Sequence, residues 1–100
     1  MNYTPLSHYP FIKFDLSFKV DKEFNASDLI KEIENLLINN ENSINIFDDY
    51  AFEKTRNLGI RIITRSYDKT YSEEENTEIL NMIVDKLTNK FNIILNEKAN

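Results

Sequence analysis

The side chains of this 100-residue sequence that could carry chemistry are few, and their spacing points to binding before bond-making. Asp48 and Asp49 stand side by side, but neighbours on a strand face opposite sides, so the two are not a metal-ligating pair. They read more simply as solvated acids near a hairpin. His8 is the only histidine and has no nucleophile near it in sequence, which leaves acid-base work without a partner. There is no cysteine, and therefore no disulfide, thiolate ligand or cysteine nucleophile. Gly59 is the only glycine, too few for a glycine-rich loop that cradles phosphate. An acylphosphatase-like activity is excluded on that ground. What remains is a set of cations, Lys13, Lys19, Arg61 and Arg65, whose use depends on the elements that hold them.

Those elements follow from periodicity. Residues 11–20 alternate, with Ile12, Phe14, Leu16, Phe18 and Val20 on one side of a strand and Lys13, Asp15, Ser17 and Lys19 on the other. Pro10 marks the start of the strand. Asn25 with Asp28 resembles a capping box, and Leu29, Ile30, Ile33, Leu36 and Leu37 recur at helical spacing, which predicts a first helix to about Asn39. The polar cluster 39–43 reads as a turn, followed by a second strand over 44–50 whose alternation stumbles at Ile46-Phe47, as at a bulge. After a short connection over 51–57, residues 58–66 form a third strand. It places Leu58, Ile60, Ile62 and Thr64 on one face and Gly59, Arg61, Ile63 and Arg65 on the other. Ser72 with Glu75 is a second capping box, opening a helix with Ile79, Ile83, Leu87 and Phe91 four apart. Residues 92–95 give a short closing strand, and the polar tail is expected to fray.

The order β-α-β-β-α-β, with one apolar stripe per helix, predicts an α+β ferredoxin-like fold. Both helices would cover one face of a four-stranded antiparallel sheet and leave the other face open. The length fits a single domain over 1–100. No apolar run approaches the roughly 20 residues of a membrane span. The net charge of -5 opposes any grip on nucleic acid that works chiefly by neutralising phosphates. On this scaffold, however, Lys13, Lys19, Arg61 and Arg65 fall on the open face against Asp15, while the acidic excess falls on helices and loops. That predicts a locally basic sheet face, suited to weak, oriented contact with a polyanion. Charges on an open sheet also simply keep it soluble, and fold and charge alone do not choose between the two. The third strand has no aromatic residue, which excludes the RNP1 pattern of an RRM.

Four motifs decide more. Tyr3-Thr4-Pro5-Leu6-Ser7-His8-Tyr9-Pro10, leading into Phe14-Asp15-Leu16, resembles a Pro-x-Ser-x-x-Pro then Arg-Asp-Leu opening. Ile46-Phe47-Asp48-Asp49-Tyr50 resembles Leu-Phe-Asp-x-Tyr, and Arg56-Asn57-Leu58-Gly59 resembles Lys-Ser-Leu-Ala. Lys69-Thr70-Tyr71-Ser72-Glu73-Glu74-Glu75 is similar to Arg-Thr-Leu-Thr-x-Glu-Glu. Together, over residues 3 to about 95, they resemble the ferredoxin-fold anticodon-binding domain at the C-terminus of phenylalanyl-tRNA synthetase beta subunits. The departures are Phe14 for the family's Arg, Asn57 for Ser, Asn76 at an apolar helix position and a shorter segment after Tyr50.

The resemblance implies a non-catalytic piece of a longer cytoplasmic chain. Its partners would be the rest of the beta subunit, a catalytic alpha subunit and the anticodon stem-loop of tRNA(Phe), with no membrane. It implies no cofactor in this domain, since ATP and magnesium would serve the catalytic part of the full enzyme, and no metal site. Carried over by position, the RNA contacts fall on Ser17, Asp48, Tyr50 and Asn57. Tyr50 would stack on a splayed base and Asp48 would accept from guanine N–H groups. Lys13, Arg61 and Arg65 would steady phosphates. The rival reading is a ferredoxin-like protein-interaction domain without RNA specificity, docking through its sheet or a strand edge.

Overall fold

Alternation along the first strand sets the frame of the computed structural model, which describes residues 9–99. In β1 (Ile12–Asp21), Phe14, Leu16, Phe18 and Val20 are buried and the intervening polar residues face away from the core. Asn25 caps α1 (Ala26–Leu36), its Oδ1 accepting from the Ser27 N–H at 3.0 Å, and Leu29 and Ile33 turn inward. Then come β2 (Asn40–Phe52), β3 (Thr55–Ser66), α2 (Glu73–Phe91) and β4 (Ile94–Ala99). The strands lie in the order β2-β3-β1-β4, each antiparallel to its neighbour. This is the expected ferredoxin-like α+β arrangement.

The core is one cluster between the sheet and the two helices. Phe14, Phe18, Leu58, Ile60 and Ile62 from the strands meet Leu29, Ile33, Ile83 and Leu87 from the helices, all of them inaccessible to solvent. Burying each such side chain is worth about 1.5–3 kcal/mol, and in a chain without disulfides this packing is the main source of stability. Leu80 is also buried while Ile79 and Phe91 are only partly so, which places the inward stripe of α2 slightly to one side of the four-apart ladder read from sequence. Phe91 instead meets Phe24 edge to face at 5.6 Å, closing the end of the core.

Three boundaries differ from the sequence reading. Helix α1 stops at Leu36, and the polar cluster expected to be a turn is the start of β2. The reason lies in the side chains. Asn40 Nδ2 donates to Thr64 Oγ1 at 3.1 Å, Thr64 Oγ1 donates to Asn42 Oδ1, and Asn42 Nδ2 donates to the Leu37 carbonyl at 2.7 Å. The two inward asparagines are therefore satisfied within the sheet and do not need solvent. Secondly, β2 and β3 run on past the expected connection and close in a tight turn at Glu53-Lys54, where Glu53 takes φ 56°. Finally, the tail expected to fray pairs with β1, Glu97 opposite Ser17 and Ala99 opposite Asp15.

Two expectations made from local pattern hold. The register of β2 on β3 shifts between Ile46 and Asp48, with Phe47 the extra residue of the bulge. Ser72 and Glu75 form the capping box of α2, with Ser72 Oγ accepting from the Glu75 N–H at 3.2 Å and Glu75 Oε1 accepting from the Ser72 N–H at 3.0 Å. From Asn45 to Phe52 every residue of β2 is exposed, so the distal half of that strand is uncovered on both faces.

Candidate nucleic-acid interface

Register alone builds the site. On the face away from the helices, Glu97, Ser17, Gly59 and Asp48 form one row across β4, β1, β3 and β2. Two residues further along, Ile94, Lys19, Asn57 and Tyr50 form the next row. Successive same-face rows are about 7 Å apart and neighbouring strands about 4.8 Å. Ser17, Asp48, Asn57 and Tyr50, which come from three different strands, are thus brought into one compact patch. Asp49 faces the other way, opposite Leu58, and its Oδ1 lies 3.0 Å from Arg56 Nε in an ion pair whose N–H is not aimed along the contact. The other arm of Arg56 donates to the Lys22 carbonyl at 2.9 Å.

A shallow concavity of about 280 Å³ lies over the first row, lined by Ser17, Phe47, Asp48, Gly59 and Glu97. Its floor exists because residue 59 has no side chain. The Phe47 ring, swung across by the bulge, occupies the space a Cβ would fill. Beyond it, Tyr50 and Phe52 stand as parallel exposed rings, centroids 6.5 Å apart and planes 12° from parallel. Asn57 is oriented by Asn96, whose Nδ2 donates to Asn57 Oδ1 at 3.0 Å. Its own carboxamide N–H groups make no hydrogen bond among the described residues.

The other three predicted contacts lie further along the same face. Lys13 sits opposite Ile63, three rows from Lys19 and so about 20 Å away, and makes no ion pair among the described residues. Arg61 donates to both oxygens of Asp15, at 2.9 and 3.2 Å, with Phe47 at 5.2 Å on its flank. Arg65 donates through Nε and Nη2 to Glu41 Oε1, at 3.1 and 2.9 Å, with its guanidinium 4.1 Å from the Phe11 ring centroid. The two arginines are bracketed in opposite senses. Arg61 takes its carboxylate from β1 and its ring from β2, and Arg65 takes its carboxylate from β2 and its ring from the residue preceding β1.

This arrangement corrects the expectation of a locally basic face. Five acids, Asp15, Glu41, Asp48, Glu97 and Asp21 at the end of β1, share the face with Lys13, Lys19, Arg61 and Arg65, although among the described residues only the two arginines are paired with them. The hydrogen bonds from Arg61 hold the Asp15 carboxyl below its ordinary pKa, and Asp15 in turn raises that of Arg61. Sequence reasoning missed Glu41 and Glu97 because it put the first in a turn and the second in a frayed tail. It missed Phe47 as a floor because the side a bulged residue takes is not set by alternation. Among the described residues no group of three or more His, Cys, Asp or Glu side chains is placed to hold a metal. His8 and most of the opening motif, residues 3–8, lie outside the described residues.

Comparison with known proteins gives this face a context. Residues 7–96 match the family model of the ferredoxin-fold anticodon binding domain. The chain is 33% identical over 97 residues to the phenylalanine–tRNA ligase beta subunit of Idiomarina loihiensis, covering 93% of this chain and 12% of that protein. It is 37% identical over 92 residues to the beta subunit of Carboxydothermus hydrogenoformans, covering 88% of this chain and 12% of that one. The Francisella tularensis beta subunit is 32% identical over 94 residues, again 12% of its length. The chain thus spans about an eighth of the curated relatives it matches. With the family model covering nearly its whole length and the β-α-β-β-α-β sheet in place, the chain belongs to the ferredoxin-fold anticodon-binding domain family.

Proposed function

We propose that this domain binds the anticodon stem-loop of tRNA(Phe) as the RNA-reading part of a phenylalanine–tRNA ligase beta subunit. Aminoacylation, with its ATP and magnesium, belongs to the catalytic alpha subunit of that cytoplasmic enzyme. The observation that carries the reading is the patch itself. Ser17, Asp48, Tyr50 and Asn57 share two adjacent rows on the solvent-facing side of the sheet, with an exposed ring, a carboxylate, a hydroxyl and a carboxamide within reach of one nucleotide or two.

Unstacked loop bases suit such a surface. A base lies on the Tyr50 ring, a carboxylate at Asp48 accepts from guanine N–H groups, and Asn57 and Ser17 offer both donors and acceptors. Lys13, Arg61 and Arg65, further along the same face, would steady phosphates of the stem-loop. The two arginines contribute at reduced strength, because each already neutralises a carboxylate. A charge-balanced face makes recognition depend on base stacking and hydrogen bonds more than on phosphate attraction.

Titration of the labelled chain with the tRNA(Phe) anticodon stem-loop at low salt, followed by NMR, tests this. Amides of Ser17, Asp48, Tyr50 and Asn57 are expected to shift with the cognate hairpin and not with one whose loop bases are scrambled. Equal shifts with both hairpins, or none with either, would overturn the reading in favour of a protein-docking role for the same face.

A further inference from the structure

We infer that Lys19, and not either arginine, supplies the principal phosphate contact of this face, an inference that rests on the RNA reading above. Lys19 stands in the same row as Asn57 and Tyr50, on the neighbouring strand to Asn57, with Tyr50 about 10 Å across the sheet. A nucleotide whose base lies on the Tyr50 ring with its backbone turned toward β1 brings its phosphate within reach of the lysine. Lys19 is exposed and makes no ion pair among the described residues, and Asp21, two residues along the strand, lies outside ion-pair distance.

The arginines differ in kind. Arg61 directs two of its N–H groups onto Asp15 and Arg65 two of its own onto Glu41. The Nε–Nη2 edge of each guanidinium is taken up by a carboxylate, which leaves only the Nη1 side for a phosphate. A phosphate bound there shares the guanidinium with an acid whose charge opposes it. Lysine carries no such counter-charge. Its ammonium is a compact charge on a flexible stem, free to follow the backbone as the base settles.

The test is the salt dependence of stem-loop binding by the 100-residue chain. Each phosphate contact contributes about 0.7 to the slope of log affinity against log salt on single-stranded RNA. Lys19→Ala is expected to flatten the slope by about that amount, Lys19→Arg to restore it, and Arg61→Gln to change it less than Lys19→Ala does. Lys31→Ala, on the outer side of α1, is expected to leave it unchanged. An unaltered slope in Lys19→Ala, with the wild-type chain binding the cognate loop, would overturn the role of Lys19 alone. Failure of the wild-type chain to bind any stem-loop would overturn the RNA reading and this inference with it.

Discussion

The ring of Phe47 lies directly over Gly59, so that a Cβ built on the glycine would come within 2.8 Å of Cζ and 2.9 Å of Cε2. Gly59→Ala therefore forces the ring aside. Phe47 is half exposed and can swing outward, but the Asp48 Cβ, 3.0 Å from the same point, is fixed to the β2 backbone, so the cost is expected in the ordinary range of overpacking, about 1–3 kcal/mol. Chemical denaturation measures that cost, and ring contacts between Phe47 and residue 59 report the displacement. A substituted protein of unchanged stability that kept those contacts would show that the floor of the concavity is looser than the geometry implies.

Asp15 gives the face a pH dependence of definite sign. The Arg61 hydrogen bonds lower its folded pKa from the ordinary 3.8. The pair therefore adds stability above that value and loses it as the pH falls through the depressed folded pKa. Arg61→Gln is expected to return the Asp15 titration, followed by carboxyl NMR, toward its ordinary midpoint. No change would mean that the pair is broken in solution.

Thr64 is fully buried and bridges Asn40 and Asn42, while Asn40 Oδ1 accepts from the Tyr71 hydroxyl at 3.1 Å. Thr64→Val keeps the volume but strands the Asn40 Nδ2 donor and the Asn42 Oδ1 acceptor, at an expected cost of about 1–3 kcal/mol. Thr77→Val on the exposed side of α2 serves as the control, within about 0.5 kcal/mol of wild type. Comparable small losses in both would remove the network as the reason β2 begins at Asn40.

The α2 cap makes a third stability prediction. Ser72→Ala removes the acceptor for the Glu75 N–H and is expected to cost about 1 kcal/mol. Glu75 is held below its ordinary pKa, first by the Lys69 hydrogen bond and then by the Ser72 N–H. Its contribution is therefore present at neutral pH and disappears under acid. A stability difference between wild type and Glu75→Gln that stayed constant from neutral to strongly acid pH would contradict this.

For RNA, Tyr50→Ala is expected to lose about 1–3 kcal/mol of stem-loop binding while oligomeric state, followed by sedimentation, stays as in wild type. Loss of self-association or of a protein contact in the same variant, with RNA binding intact, would instead mark the parallel Tyr50 and Phe52 rings as a protein-docking patch.

Local pattern was enough to determine the element order, the sheet with both helices on one side, the bulge at Phe47, the N-cap residue of each helix and the capping box of α2; the box expected of Asn25 with Asp28 is instead a bond from the Ser27 N–H to Asn25. Each depends on period, capping chemistry or turn residues within a few positions. The two faces of β1 and β3 were legible for the same reason, since alternation fixes which side chains leave the core. Tertiary structure alone decided what those outward side chains meet. Asn40 and Asn42 look like turn residues until Thr64 satisfies them, and only then does Glu41 come opposite Arg65. Glu97 looks like tail until β4 pairs with β1. The charge of the open face, the neutralised arginines and the uncommitted Lys19 all follow from cross-strand register, which couples residues as distant in sequence as Asp15 and Ala99 and leaves no mark on any local stretch of sequence.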